Sequence, residues 1–283
     1  MGTVDIAVTD ADRALRFYRD YVGLTALPSE GPEIRMGAHG REVVVLHPGA
    51  DRPVVPHTSG LYHLALVVPD RRELARVIGR LARLRWAQYP TDHVMTKANY
   101  LWDPDGNGIE IYTESPEDGF MGFAGGTFAA WDKDGNPRSG RDPIDLEELF
   151  THLRDDDSLD EPMPAGTRMG HVHLHVADVD QALRFYHDLV GFDVMGNVPG
   201  VGFVSAGGYH HHLGLNEWAG RGVPPAPAGA AGLRRFTVEL PTRRDLEDVV
   251  GRLEHGDVSV VEDGAGFTAA DPSKNRVLFT TAA

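Results

Sequence analysis

The chain of 283 residues contains no cysteine. This absence excludes disulfides, zinc–thiolate sites, iron–sulfur clusters and a cysteine nucleophile, so any metal must bind to His, Asp, Glu or Tyr. Basic residues are also few, because 27 Lys and Arg stand against 42 Asp and Glu, a net charge of −15. A surface of this sign repels a phosphate backbone, which makes nucleic acid a poor candidate partner.

Long apolar runs and targeting signals are missing as well. No apolar run approaches the length of a membrane span, so we expect no membrane partner. The N-terminus enters an alternating strand at Val4 without the basic, apolar and cleavage regions of a signal peptide, which predicts a cytoplasmic protein. Apolar residues at 41% and charged residues at 24% are close to globular averages and predict a folded chain with a sizeable core.

The second half of the sequence is a divergent copy of the first. Residues 10–24 and 178–192 share ten of fifteen positions at an offset of 168, and residues 69–81 and 241–253 share eight of thirteen at an offset of 172. Within each half, alternating strand patterns and helical spacing indicate two consecutive βαβββ units. The approximate spans of the four repeats are 1–52, 57–115, 167–222 and 230–283.

This pattern predicts an α+β fold with three parts. Residues 1–115 form the first pair of repeats, residues 116–166 form an insertion or linker with a short helix, and residues 167–283 form the second pair. A single βαβββ unit leaves a curved sheet with an open face. We therefore expect the repeats to pair into two cup-shaped half-barrels.

Candidate metal ligands fall in the second and third repeats. Alignment of the repeats places His63 and Glu110 of the second repeat, and His171 and Gly214 of the third, at inward positions of the first and last strands. The equivalent positions of the first and fourth repeats are Thr3, Val45, Arg235 and Leu278. Two His and one carboxylate form a facial triad, which non-haem Fe(II) oxygenases prefer. The triad is complete only if residues 57–115 face residues 167–222, and Gly214 would then leave a coordination position for substrate.

The stretch from Thr91 to Glu110 carries a more specific signal. It is similar to the signature of type I extradiol ring-cleaving dioxygenases of the vicinal oxygen chelate superfamily, in the catechol-2,3-dioxygenase-like branch, with Asn99 as its one departure. The segment around His171 resembles the first ligand strand of that family, and His63 resembles the second. The resemblance implies the glyoxalase/bleomycin-resistance/dihydroxybiphenyl dioxygenase fold. Because the two active repeats occur in swapped order, it also favours crossed pairing of the repeats.

The same resemblance implies a function and further site residues. It implies an extradiol dioxygenase of aromatic catabolism that uses Fe(II), with Mn(II) as the alternative ion, to cleave a small aromatic diol with O2. His211 would be the acid–base residue, although the run His210–His212 leaves the choice among three residues open. His93 and Tyr100 would hydrogen-bond substrate or oxygen, and His173 and His212 are candidates for the substrate pocket.

Several alternatives stay open at this point. His63 could be a hydrogen-bonded core histidine, and Glu110 could pair with an arginine. On the same scaffold, a glyoxalase-like isomerase or lyase would use four protein ligands, and a small-molecule binder of the antibiotic-resistance type would lack the metal. The exposed sheet edges of such cups also allow a homodimer.

Overall fold

The computed structural model describes residues 1–124, 127–264 and 266–282, and its first part consists of two βαβββ modules. The elements of module 1 are β1 (Val4–Val8), α1 (Ala11–Arg16) with a π-helical continuation (Phe17–Val22), β2 (Thr25–Leu27), β3 (Ile34–Ala38) and β4 (Arg41–Pro48). Those of module 2 are β5 (Gly60–Val67), α2 (Arg71–Arg83), β6 (Tyr89–Asp92), β7 (Thr96–Trp102) and β8 (Gly108–Glu114).

An insertion and two further modules follow. The insertion contains a 3-10 turn (Pro116–Asp118), β9 (Gly119–Ala124), β10 (Thr127–Asp132), β11 (Asp142–Pro143) and α3 (Leu146–Phe150). Module 3 has β12 (Arg168–His175), α4 (Val179–Leu183) with a π-helical continuation (Arg184–Val190), β13 (Asp193–Val198), β14 (Val201–Ser205) and β15 (Leu213–Asn216). Module 4 has β16 (Gly232–Leu240), α5 (Arg243–His255), β17 (Val261–Asp263), β18 (Gly266–Ala270) and β19 (Arg276–Thr281). The predicted α+β class is confirmed.

The modules are joined into two sheets. The nine-stranded sheet has the order β11-β6-β7-β8-β5-β12-β15-β14-β13, and the eight-stranded sheet has the order β17-β18-β19-β16-β1-β4-β3-β2. Antiparallel pairs β5–β12 and β1–β16 join the modules at the centre of each sheet. Modules 2 and 3 therefore share one sheet, and modules 1 and 4 share the other.

The repeated sequence motifs bind one another across neighbouring modules. The Tyr18 hydroxyl donates to Asp103 Oδ2 at 3.3 Å, and its counterpart Tyr186 donates to Asp271 Oδ2 at 3.1 Å. The other oxygen of Asp103 accepts the backbone N–H groups of Asp105 and Asn107 at 2.9 and 2.8 Å, which closes the turn before β8. The Tyr and Asp motifs therefore recur because each half of the chain forms the same packing contact. The turn at Asp103 sets where β8 begins.

The insertion packs on module 2 and on the nine-stranded sheet. Strand β11 extends the edge of this sheet by pairing with β6. The hairpin β9–β10 lies against β13, where the Phe123 ring occupies the space beside Gly196. Over the described residues, no helix is both long enough and apolar enough to cross a membrane.

Arg80 of α2 connects module 2 to module 1 and to the insertion through hydrogen bonds. Its guanidinium donates to the carbonyl oxygens of Val22 at 2.9 Å, Leu159 at 2.6 Å and Glu161 at 2.5 Å. The side chain is almost completely buried, and burial lowers the pKa of Arg80 to about 10. At neutral pH it is still charged, so the three carbonyl groups are satisfied by a buried cation.

We expect Arg80→Met to lower the free energy of unfolding by about 3 kcal/mol, because the carbonyl groups of Val22 and Leu159 lose their donor, whereas that of Glu161 still accepts a hydrogen bond from Arg76. Urea denaturation followed by circular dichroism measures the change. The matched control is Arg83→Met, since Arg83 is 46% exposed and pairs with the exposed Asp160. That variant should lose less than about 1 kcal/mol. Equal losses in the two variants would contradict the role assigned to Arg80.

Candidate metal centre

Three side chains converge in the middle of the nine-stranded sheet. His63 of β5, Glu110 of β8 and His171 of β12 are all buried. Glu110 Oε2 lies 3.0 Å from each Nε2 atom, and the two Nε2 atoms are 3.2 Å apart. Within the described ranges, this is the one group of three His or carboxylate residues whose ligand atoms lie within 4.8 Å of one another.

The pairing of β5 with β8 and β12 brings the three side chains of the triad together around Ala65. In the strand register Ala65 lies opposite Glu110 of β8 on one side and opposite His171 of β12 on the other, while His63 precedes it by two residues on the same face. Ala65 is buried, and its side chain is only a methyl group. The antiparallel partner of His63 is His173. The register of β12 against β5 shifts before and after this stretch, between Met169 and His171 and between His173 and Leu174.

The donor set fits a divalent transition metal. Two ligands at right angles about one ion, each at about 2.1 Å, lie about 3.0 Å apart, whereas tetrahedral ligands lie about 3.4 Å apart. The observed 3.0–3.2 Å separations match a facial arrangement. Burial lowers the pKa of His171 to about 4, so its imidazole is neutral as ligation requires. Burial would raise the pKa of Glu110, but the two imidazoles outweigh it and hold that pKa well below its usual value.

His93 and Tyr100 lie beside the triad. Tyr100 is the direct cross-strand partner of Glu110, and its ring centroid is 5.5 Å from that of His63. His93 Nδ1 lies 2.6 Å from the carbonyl oxygen of Gly140 and must donate to it, so Nε2 accepts the Tyr100 hydroxyl at 2.8 Å. Burial and the nearby Glu110 raise the pKa of Tyr100 well above 10, which keeps the phenol protonated.

The three consecutive histidines point in different directions. The His211 ring lies 4.3 Å from the His171 ring and 4.9 Å from that of Phe203, so it faces the triad. His212 Nδ1 accepts the backbone N–H of Ala206 at 3.2 Å and lies 2.8 Å from Ser205 Oγ. The His212 side chain is therefore held in the β14–β15 turn, and the structure does not bring it to the triad.

A family model described as Glyoxalase/Bleomycin resistance protein/Dioxygenase superfamily matches residues 1–111 and 168–279. The chain belongs to this superfamily. The catechol-2,3-dioxygenase of Bacillus subtilis (strain 168) is 38% identical over 279 residues, which cover 96% of this chain and 93% of that enzyme. The predicted family resemblance is confirmed.

Solved structures of the superfamily show the same fold. A Bacillus subtilis (subsp. subtilis str. 168) protein provisionally named a dioxygenase superposes with a TM-score of 0.68 at 14% identity, over 99% of this chain and 85% of that one. Glyoxalase I from Zea mays superposes with a TM-score of 0.59 at 15% identity, over 99% and 92% of the two chains. At this level of identity these likenesses concern the fold alone. The closer sequence relative supports a dioxygenase within the superfamily.

The structure corrects the expectation for Gly214. That glycine was expected to leave a coordination position open, but the space beside it holds the imidazole of His173, its partner on β12. A Cβ atom at position 214 would lie 2.7 Å from His173 Cγ. His173 is buried, its ring is 5.1 Å from that of His63, and its Nε2 has no hydrogen-bond partner among the described residues. Gly214 therefore makes room for the ring of His173 next to the triad.

We expect Gly214→Ala to displace the His173 ring and to lower the free energy of unfolding by about 1–3 kcal/mol, as overpacked cores do. Thermal unfolding measures this loss, and binding of a substrate analogue measures the displacement. Gly251→Ala is the control, because no atom lies within 4 Å of a Cβ built at that helical position. An unchanged Gly214→Ala variant would show that the His173 ring moves aside freely.

A polar network that the sequence did not indicate lies beside the histidine run. Tyr112 and Glu114 follow Glu110 on β8 at alternate positions, so all three share one face of the strand. The Tyr209 hydroxyl donates to Glu114 Oε1 at 2.5 Å and lies 2.6 Å from the Tyr112 hydroxyl. Period-two alternation along the segment IEIYTE was the signal that could have indicated Tyr112 and Glu114.

Proposed function

We propose that this protein is an Fe(II)-dependent extradiol dioxygenase, with Mn(II) as the alternative ion, that cleaves the ring of a catechol-type aromatic diol with O2. The convergence of His63, Glu110 and His171 on one point carries the proposal. Two imidazoles and one carboxylate in facial arrangement are the ligand set of oxygen-activating non-haem iron. An ion bound there would supply Lewis acidity and electron transfer between diol and dioxygen.

The side chains around the triad suit this chemistry. His211 lies against His171, and burial holds the pKa of His211 well below 6.5, so its imidazole is neutral and can accept a proton from a diol hydroxyl. The pair formed by His93 and Tyr100 is fixed by the Gly140 carbonyl and keeps a protonated phenol beside Glu110. The unpartnered Nε2 of His173 is a further polar contact for a bound substrate.

The aromatic walls favour a planar apolar ring. Phe203 contacts both His211 and His173, with ring centroids 4.9 and 5.9 Å away. Trp218 contacts His173 at 5.4 Å, and Tyr62 lies between Trp218 and His63. Such rings provide stacking and edge-to-face contacts to an aromatic substrate.

The test is oxygen uptake after metal loading. Protein is loaded anaerobically with Fe(II), and in parallel with Mn(II), mixed with a panel of catechols and exposed to O2. We expect one O2 consumed per diol, a yellow ring-opened product, and both atoms of labelled oxygen in that product. Absence of oxygen uptake with every catechol and both ions would refute the proposed function.

The same metal-loaded protein distinguishes the dioxygenase from two alternatives, a glyoxalase-like enzyme and a non-catalytic binder. A glyoxalase-like isomerase or lyase on this scaffold would use four protein ligands, whereas three ligand atoms converge here among the described residues and position 214 is a glycine. A non-catalytic binder would retain no metal. One tightly held transition metal per chain together with oxygen uptake supports the dioxygenase over both.

A further inference from the structure

The triad lies on the face of the nine-stranded sheet that is turned away from the main hydrophobic core. In β5, Leu64 and Leu66 belong to that core, whereas Ala65 between them belongs to a separate small cluster. Side chains alternate along a strand, so His63 lies on the same face as Ala65. Whatever covers this second face therefore bounds the space in front of the triad.

The hairpin β9–β10 covers the triad face between the two edges of the sheet. Met121 and Phe123 share one face of β9, and the Met121 Sδ atom lies 2.8 Å from a Cβ atom built at Gly140. Gly140 precedes β11, the strand at one edge, and its carbonyl oxygen accepts the hydrogen bond of His93. The Phe123 ring packs on Gly196 of β13, the strand at the opposite edge. The hairpin thus closes the open side of the sheet.

A row of paired residues leads across the sheet from the hairpin to the triad. It crosses β13, β14, β15, β12 and β5 through Gly196, Phe203, Gly214, His173 and His63. Neither glycine has a positive φ, so the backbone conformation does not require glycine at either position. A Cβ atom at Gly196 would clash with the Phe123 ring. One at Gly214 would clash with the His173 imidazole in the same way. Each glycine therefore makes room for one ring on the face that carries the triad.

Phe123 is the outermost ring of a series that begins at the triad. The ring centroid of His211 lies 4.3 Å from that of His171 and 4.9 Å from that of Phe203. The Phe203 centroid in turn lies 5.9 Å from that of Phe123. Because the Phe123 ring rests on the backbone of Gly196, it cannot move towards the sheet to admit a larger ligand. The series of rings therefore has a fixed outer end.

We propose that Phe123 determines the size of the diol that the site admits, because its ring closes the outer end of the pocket in front of the triad. The inference rests on the proposed function, in which both diol oxygen atoms bind at the triad. A diol bound in this way carries its ring and substituents on the side away from the ion. An unsubstituted catechol then fits inside the series of rings, whereas a second aromatic ring on the diol meets Phe123. The residue acts on substrate size and takes no part in the chemical step.

The first test measures binding and needs no turnover. Wild type, Phe123→Ala and Phe123→Leu are loaded with redox-inactive Zn(II) and titrated anaerobically with catechol, 3-phenylcatechol and 4-phenylcatechol in a calorimeter. We expect the wild type to bind catechol more tightly than either phenylcatechol. In Phe123→Ala the ratio of Kd values should shift by at least about tenfold in favour of a phenylcatechol, because the space of one ring is freed. Phe123→Leu should show a smaller shift in the same direction.

Two binding results would overturn the proposal. One is a ratio of Kd values that stays within about twofold of wild type in Phe123→Ala for both phenylcatechols. The other is a wild type that already binds a phenylcatechol more tightly than catechol. Circular dichroism shows whether each variant is folded, and if Phe123→Ala does not fold, the shift in Phe123→Leu decides.

The second test is kinetic and uses the Fe(II)-loaded protein. The ratio of kcat/KM for a phenylcatechol to kcat/KM for catechol should rise at least about tenfold in Phe123→Ala. The matched control is Phe120→Ala, in the same strand but on its other face, where the Phe120 ring stacks on Trp131 with centroids 4.6 Å apart. That variant should keep the ratio within about twofold of wild type. An equal rise in both variants would assign the effect to a loosened hairpin and refute the role of the Phe123 ring.

The outcomes distinguish this proposal from the proposed function. If the wild type consumes no oxygen with any catechol, the proposed function fails, and the Kd ratios of the Zn(II)-loaded proteins still decide the role of Phe123. If oxygen is consumed and the ratios do not change in Phe123→Ala, the proposed function stands and the role of Phe123 is refuted. If no diol binds to the wild type or to the variants, both proposals fail.

Discussion

Replacement of Glu110 by alanine is expected to abolish both metal retention and turnover. Its carboxylate is the only anionic group of the triad and lies 3.0 Å from each imidazole nitrogen. Without it, only the two imidazoles remain, which lack the negative charge that binds a divalent ion against water. Metal analysis after desalting should fall from about one ion per chain to almost none, and kcat should fall by more than about 10³-fold.

The stability of the same variant provides an independent check. The two imidazoles hold the pKa of Glu110 well below its usual value, so the ionised carboxylate stabilises the metal-free fold at neutral pH, and metal-free Glu110→Ala should be less stable than the metal-free wild type. Added metal should stabilise the wild type by about 2.7 kcal/mol at a hundredfold excess over Kd and leave the variant unchanged. Glu147→Ala, at an exposed position of α3, is the control. A Glu110→Ala protein that keeps its metal would contradict the proposed centre.

Replacement of His211 by alanine is expected to lower kcat about 10²–10⁴-fold while the protein keeps its metal. The structure distinguishes the three histidines that the sequence leaves open. His211 faces His171, His210 lies between His211 and Glu114, and His212 is fixed by the β14–β15 turn. The order of kcat losses should therefore be His211 first, His210 second and His212 last.

Measurements on the three single alanine variants, with metal content determined for each, decide this order. We expect His212→Ala to lose less than about tenfold in kcat, because its effect is confined to the turn. A larger loss in His212→Ala than in His211→Ala, at equal metal content and equal folding, would transfer the acid–base role to His212.

Much of the fold was predictable because the second half of the sequence repeats the pattern of the first half. Each module lies within the span predicted for its repeat: Val4–Pro48 within 1–52, Gly60–Glu114 within 57–115, Arg168–Asn216 within 167–222 and Gly232–Thr281 within 230–283. The repeated Tyr and Asp motifs bind each other in both halves, which explains why they recur. After α2 the chain passes through a turn in which Arg85 has a positive φ of 57°, and β6 begins only at Tyr89.

The candidate site was predictable in its ligand types and only in part in its surroundings. His63, Glu110 and His171 could be aligned because they occupy matching positions of repeated strands. The role of Gly214 was not predictable, since the position of the His173 ring depends on the pairing of β12 with β15. The contact between Tyr209 and Glu114 joins residues 95 positions apart, and local periodicity carries no information on such a distance.

By itself the sequence determined the repeated modules, the α+β class and the chemical nature of the ligands, because these follow from local spacing and from identity between copies. Only the tertiary structure decided which imidazoles turn towards the triad and that Tyr209 donates a hydrogen bond to Glu114. These contacts depend on strand register, on the irregularity before His171 and on the path of the turn at residues 206–212. A one-residue shift in the pairing of β5, β8 or β12 would move the ligands on that strand to the other face of the sheet.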